Sequence, residues 1–541
     1  METPRRLDRK VGRTGSEVED AAGTAPTRTL QPRERTPPPC NVEPEREDAV
    51  EAIVAAGHPR EYARHRTLSP VRRHVSAKSH RQNYTTLALA CDVALTAGTA
   101  YATLGAFGEH MGTFSIRGRK AVSGTHRVPG NKNAALPMVA AALLTSEPVV
   151  LTNMPDIADV RSMLACAKAF GAKVAFDGSA RTATITAAKL RTARLDPDLA
   201  RKIRTSILFA GPLLARAGGV SLPPPGGDGI GHRRLDTHLD GFAALGAKVK
   251  AGRRILSVKA GARGLVGAKL LLDEASVTAT ENILMAAVLA KGTTEIYNAA
   301  CEPHVQDLCT MLNSMGARIA GIGTNRIVVE GVESLHGTTA RVGCDAIEGA
   351  SYLTAAAITG GEMTLTEIDP EVFAVLSRTF ARFGVKWTVD EEKRTLHMPA
   401  RKRRRMQYDL GDAIPSVADG PWPMFPSDLI SILIVLATQT RGTCLFFEKM
   451  FESRLYFVDH LIGMGAKIVL CDPHRVVVTG PTQLSGSTVT SPDIRAGIAL
   501  ILAALCAKGE TSILNAESVD RGYEAVEKEL SALGADIRRL N

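Results

Sequence analysis

Aromatic side chains are scarce: two tryptophans, eight tyrosines and fourteen phenylalanines make up 4% of 541 residues. A protein that grips single strands by stacking needs aromatics among its basic residues, so this composition argues against nucleic acid as the main partner. None of the nine cysteines forms a CxxC pair, and their odd, scattered placement fits reduced cytosolic thiols rather than a disulfide framework or a zinc site. No secretory signal opens the chain. Its most apolar early stretch, Leu87 to Phe107, carries Asp92 and is rich in alanine and threonine, a poor membrane span.

What is present is length and positive charge. The chain is long enough for more than one core, and its formal net charge is +10. Residues 1–110 hold 16 Lys/Arg against 14 Asp/Glu, so most of the excess lies in the remainder. A basic globular body suits anionic small substrates. Residues 1–110 themselves, with Pro32 to Pro39 and a basic run from His58 to Arg81, show no sustained period and read as a disordered, basic extension. Met111 opens a credible first strand, which makes it an alternative start.

Beyond Met111 the sequence repeats. Gly171-Ala-Lys-Val returns at Gly246, Gly316, Gly384, Gly465 and Gly534, a period of roughly 70 residues, longer than solenoid repeats. Each glycine sits where a helix C-cap needs a left-handed residue before a strand. Between these marks lie apolar helices: Ala134 to Leu144, Ile207 to Ala217, Ile283 to Ala290, Tyr352 to Ile358, Leu429 to Ala437 and Ile498 to Ala507. Helices apolar all round belong inside a domain. The expectation is an α/β protein of six βαβαββ units, three per domain.

The starts of these helices carry unusual residues. Lys132 and Asn133 precede the first, Arg204 the second, Asp345 the fourth, Asp428 the fifth, and Asp493 and Arg495 the sixth. The aspartates are open to an N-capping explanation. Lysine and arginine oppose the helix dipole there, which points to anion binding. A glycine-rich stretch, Pro223-Pro-Pro-Gly-Gly-Asp-Gly-Ile-Gly-His-Arg-Arg-Leu-Asp-Thr-His238, has the composition of a mobile catalytic loop bringing Asp228, Arg233 and Arg234 to a ligand.

Together, Gly130-Asn-Lys-Asn-Ala-Ala-Leu-Pro137, Lys202-Ile-Arg-Thr-Ser206, Gly211-Pro-Leu-Leu-Ala-Arg216, the Gly226 to His238 loop, Ser276-Val-Thr-Ala-Thr280, Glu302-Pro303, Phe425-Pro-Ser-Asp428 and Phe451-Glu-Ser-Arg454 resemble the UDP-N-acetylglucosamine 1-carboxyvinyltransferases. The resemblance covers residues 111–541, and the wider superfamily includes enolpyruvylshikimate-phosphate synthase. It implies a two-domain inside-out α/β barrel: residues 111–131 with 337–541 form one domain, and residues 132–336, carrying the loop 223–238, the other. It also implies transfer of enolpyruvyl from phosphoenolpyruvate to the 3-hydroxyl of UDP-N-acetylglucosamine, releasing phosphate, as the first committed step of peptidoglycan synthesis in the cytoplasm.

By the same resemblance, Lys132, Arg233 and Arg454 clamp phosphoenolpyruvate, Asp228 delivers a proton to its carbon, and Asp345 takes the hydroxyl proton. Asn133, Arg204, the run Arg234, Leu235, Asp236, Thr237 and His238, and Ser276, Val277 and Thr278 hold the UDP-sugar, with Leu376 as a further contact. Asp428 supports Arg454 or the reacting centre. No cofactor or metal is called for, because lysine and arginine supply the positive charge. Two departures stand out. Many relatives have cysteine at the position of Asp228, the thiol that fosfomycin alkylates, and some have lysine at the position of Glu274. Two rival functions remain: enolpyruvyl transfer to another nucleotide such as UMP, and a non-catalytic regulatory paralogue.

Overall fold

The structure, a computed structural model, describes residues 112–540 apart from 192, 193, 228, 232 and 253. The N-terminal extension, Met111 and Asp228 therefore lie outside the described residues.

Six helices organise the fold: α1 (Lys132–Ala141), α2 (Ala210–Ala217), α3 (Val277–Ala287), α4 (Ala346–Thr359), α5 (Ile430–Thr438) and α6 (Ile494–Cys506). Their near-continuous apolar sequence has the expected consequence. Every residue of α5 is buried, as are Ala134 through Ala141 of α1 and Ile494 through Leu505 of α6. At about 1.5–3 kcal/mol for each large aliphatic taken from water, a helix such as α5 is a main source of cohesion.

Four helices begin before their apolar runs, α3 and α4 by most: α3 starts at Val277 and α4 at Ala346, and their early turns bury the polar residues Thr280, Glu281, Asn282, Glu348 and Ser351. Asn282 explains how this is tolerated: its amide donates to Ile207 O at 2.8 Å and accepts from Gly211 N at 2.7 Å.

Among the described residues, six sheets surround the helices, five of four strands and one of three. Thr338–Arg341, for example, runs parallel to Pro148–Thr152, which pairs antiparallel with Thr182–Thr186, itself antiparallel to Lys173–Asp177. Alternation sends Val149, Leu151, Ala183 and Ile185 inward. In the three-stranded sheet, Arg194 bridges Ser221 where other sheets have their parallel edge strand. The six repeat glycines 171, 246, 316, 384, 465 and 534 all have φ between 71 and 103°, and a strand follows each.

The buried side chains form two hydrophobic cores. One draws on residues 114–128 and 344–537, with α4, α5 and α6 packed on one another. The other spans residues 134–342; there α2 packs on α3, and α1 lies against the turn Arg204–Phe209 that leads into α2. The chain passes between the cores twice, and the two passing segments are tied together. Gly130 bridges Cys344, Asn131 N donates to Gly343 O at 2.7 Å, and Asp345 N donates to Pro129 O at 2.8 Å. Gly130 has no room for a side chain, since a Cβ there would lie 1.8 Å from Asn153 O. Lys132 and Asp345 stand immediately beyond this crossing.

Candidate active site

A cavity of about 620 Å³ opens beside the crossing, with walls drawn from both cores. Lys132, Arg204, Arg233, Arg454, Arg495 and Arg521 all line it. Six cations facing one space repel one another, so the acids among them decide whether the arrangement can stand. Asp159, in the first turn of Ala158–Ala169, takes Lys132 Nζ at 2.7 Å and Arg521 Nε at 3.0 Å. Asp428, in the short turn Ser427–Leu429, takes Arg454 Nη2 at 3.1 Å and Arg495 Nη2 at 2.7 Å. Burial alone would push the Asp428 carboxyl up; Arg495 and Arg454 beside it outweigh that and hold it well below the ordinary carboxylate range.

The pairing leaves donors to spare. Arg454 is buried, and its Nε and Nη1 have no hydrogen-bond partner among the described residues. Buried guanidinium N–H groups are costly to leave unmet, so they favour an anion in the cavity. The guanidinium groups of Arg454 and Arg233 both lie over the Phe451 ring, 5.0 and 5.9 Å from its centre. The glycine-rich stretch reaches the same turn, where Ser453 N donates to Ile230 O at 3.2 Å. Arg204 donates to Arg233 O, and burial together with the Arg233 charge brings its own pKa down to about 10.

The family model for EPSP synthase (3-phosphoshikimate 1-carboxyvinyltransferase) matches residues 116–530. The chain belongs to this carboxyvinyltransferase family. Among curated relatives, the UDP-N-acetylglucosamine 1-carboxyvinyltransferase of Treponema denticola is 49% identical over 428 residues, covering 79% of this chain and 99% of the relative. The protein of the same name from Bradyrhizobium diazoefficiens is also 49% identical over 428 residues, with 79% and 98% covered. The crystal structure of the enolpyruvyl transferase NikO from Streptomyces tendae superposes with a TM-score of 0.69 at 26% identity, covering 79% of this chain and 99% of that one. EPSP synthase from Acinetobacter baumannii shares the fold at a TM-score of 0.63 and 18% identity, with 80% and 100% covered.

Within this carboxyvinyltransferase fold the predicted residues fall into three groups. Lys132, Asn133, Arg204, Arg233, Val277, Thr278, Leu376, Asp428 and Arg454 line the cavity. Asp345 does not: its neighbours Cys344, Ala346 and Ile347 do, while Asp345 is 3% exposed. Its Oδ1 caps α4 by accepting from Ile347 N and Glu348 N at 3.0 Å, and its Oδ2 accepts from Lys132 N at 3.4 Å. Burial raises its pKa. Of the three aspartates at helix starts, Asp345 and Asp493 cap their helices, whereas Asp428 makes no cap bond and serves the arginines.

The third group is Arg234 to His238 and Ser276. Arg234 is half exposed and turned to Asp236 at 2.8 Å and Asp273 at 3.6 Å. Asp236 opens the helix Asp236–Ala244, and Leu235 caps it and packs on the core. The Thr237 hydroxyl donates to Asp273 at 2.6 Å. His238 is buried between Thr278 Oγ1 at 3.2 Å and Asn282 Nδ2 at 3.1 Å, and burial, then Arg204, lowers its pKa to about 3, so the ring is neutral. It braces Thr278, which does line the cavity. Ser276 is the N-cap position of α3, and Glu274 is exposed.

Sequence reasoning left Asp159 and Arg521 out of the site, although both line the cavity. Arg495 was visible as a cation at a helix start; Arg521, in Asp520-Arg-Gly-Tyr523, gave no comparable signal. Their partners are distant in the chain.

Proposed function

We propose that this chain transfers the enolpyruvyl group of phosphoenolpyruvate to the 3-hydroxyl of UDP-N-acetylglucosamine and releases phosphate, the entry step of peptidoglycan synthesis. The observation that carries the reading is the cavity lined by six cations. Phosphoenolpyruvate brings a phosphate and a carboxylate, and a UDP-sugar two more phosphates. The names of relatives about half identical in sequence supply the acceptor. We read the two cores as two lobes, residues 111–131 with 337–541 and residues 132–336, closing over both substrates. Seven unpaired cysteines among the described residues support a cytoplasmic setting.

The chemistry balances as addition followed by elimination. The sugar hydroxyl gives up its proton as its oxygen bonds to C2 of phosphoenolpyruvate, and a proton is delivered to C3, making a methyl group. The C2–O bond to phosphate then breaks as the methyl group loses a proton, restoring the double bond. Lys132, Arg233, Arg454, Arg495 and Arg521 hold the phosphate and carboxylate charges through both steps. Asp228 serves C3, a role resting on the sequence alone. Of the two acids available for the hydroxyl proton, the geometry favours Asp428 over Asp345. Asp428 is on the cavity wall and Asp345 is not; both oxygens of each are engaged, those of Asp428 by Arg454 and Arg495, which an anionic substrate would draw away, and those of Asp345 by backbone N–H groups that stay in place.

Phosphate release tests the reading. Turnover that requires both phosphoenolpyruvate and UDP-N-acetylglucosamine supports it. Turnover with UMP alone as acceptor would replace it, and inactivity with both would favour a regulatory paralogue.

A further inference from the structure

Behind Asp428 and Arg454 lies a second pair of acids that the reaction above does not use. Glu448 and Asp419 are each 0% exposed. Glu448 Oε1 accepts from the Ser427 hydroxyl at 2.8 Å and from Phe451 N at 3.1 Å. Its Oε2 lies 3.0 Å from the same hydroxyl and 3.8 Å from Arg454 Nε. One carboxyl thus ties the turn bearing Asp428 to the turn bearing Phe451 and Arg454. Asp419 N donates to Phe447 O at 3.3 Å and its Oδ1 accepts from Lys449 N at 2.5 Å, so Asp419 is bonded to both residues that flank Glu448, whereas its Oδ2 has no hydrogen-bond partner among the described residues. Two adjacent carboxyls out of water cannot both ionise cheaply, and a proton between them would satisfy the orphaned oxygen.

We propose that Glu448 keeps a proton that it donates to Asp419, and that the two act as a positioning pair, setting Asp428 and Arg454 against the substrates. The inference rests on the transferase reading above and assigns that site a part nothing else gives it.

The groups facing the pair fix its pH behaviour. Burial, then Asp419, pushes Glu448 up to about 8, while Arg454 pulls the other way. His474 Nδ1 lies 2.7 Å from Glu448 O, and the Lys449 ammonium and Arg475 guanidinium sit over Phe447, at 5.4 and 5.8 Å, on the same strand end. With the proton in place, Arg454 stays on Asp428, its nearer acid. Once the proton leaves, Glu448 carries full charge 3.8 Å from Arg454 Nε and competes for the guanidinium.

The full chain with E448Q tests this, because glutamine keeps an acceptor for Ser427 and Phe451 N and offers Asp419 a permanent N–H. At pH 7 the variant should hold kcat/KM within about threefold. In wild type, KM for phosphoenolpyruvate should rise about tenfold per pH unit above about pH 8, the slope of a single proton; in E448Q that rise should move up by at least one unit or vanish. Superimposable profiles would overturn the proposal. The melting temperature gives a readout independent of turnover. A carboxyl raised in the folded state binds a proton that the unfolded chain has released, so wild type should lose stability relative to E448Q from pH 5 to 8. Parallel melting curves would refute the retained proton. Lack of transferase activity in both proteins, with diverging melting curves, would sink the transferase reading and leave the pair standing.

Discussion

Replacing Asp159 by alanine removes a carboxylate that pairs with both Lys132 and Arg521, and the cost can be worked from their surroundings. The Asp159 and Lys132 side chains are 4% and 11% exposed, while Arg521 is 23% exposed. Breaking a buried ion pair from one side costs roughly 3–5 kcal/mol, because the surviving charge has lost its partner. Here two cations survive, but Arg521 has access to water through the cavity. That places the loss near 3 kcal/mol, a large part of a net stability of about 5–15 kcal/mol. Chemical denaturation of wild type and D159A measures it directly. Anion binding should change in the opposite sense: with Asp159 gone, added phosphate can take its place between the cations. A tenfold gain in phosphate affinity would add about 1.4 kcal/mol of ligand stabilisation at saturating concentrations. A stability loss below about 1 kcal/mol, or phosphate stabilising both proteins equally, would refute the view that Asp159 holds these cations.

Three further outcomes follow from the same geometry. Fosfomycin should leave wild-type turnover intact and inactivate D228C, since only the latter offers a thiol; inactivation of wild type would show that another group reacts. D428N should lower kcat by about 10²–10⁴, the range of a lost general base, whereas D345N should mainly lower stability and keep kcat within about tenfold; the reverse ranking would restore Asp345 as the base. His126 lies 3.1 Å from Glu348 and 3.4 Å from Glu529, and although burial opposes its charge, these acids raise its pKa to about 9. A raised histidine stabilises fully below its unfolded pKa and fades as pH rises through the folded one. H126Q should therefore cost about 2 kcal/mol at pH 6 and much less by pH 9.5 in denaturant titrations; a pH-independent difference would contradict the charged pair.

The fold was legible where one residue type has one physical job. A glycine at a left-handed helix end can hardly be anything else, and all six repeat glycines have positive φ. The early turns of α3 and α4 were hidden because Glu281, Asn282, Glu348 and Ser351 are polar residues buried inside the fold, which no hydrophobic pattern reveals. Lys132 and Arg204 stood out because each opposes a helix dipole. Asp159 and Arg521 did not, since they are 362 residues apart and meet only through the fold. Arg234 was read with Arg233 as a pair, yet the backbone turns one to the cavity and the other to Asp236 and Asp273. Adjacent cations often part in this way, and spacing alone did not show which would face the ligand.

The central claim is addition of a proton at C3 and its later removal, with the enolpyruvyl group moved intact to a sugar oxygen. Running the reaction with phosphoenolpyruvate and UDP-N-acetylglucosamine in deuterium oxide, then weighing the product, tests it most directly. The transient methyl group has three hydrogens and returns one, so the enolpyruvyl ether should carry deuterium in its vinyl group beside one equivalent of phosphate. An ether formed without deuterium, or phosphate released without the ether, would contradict the account.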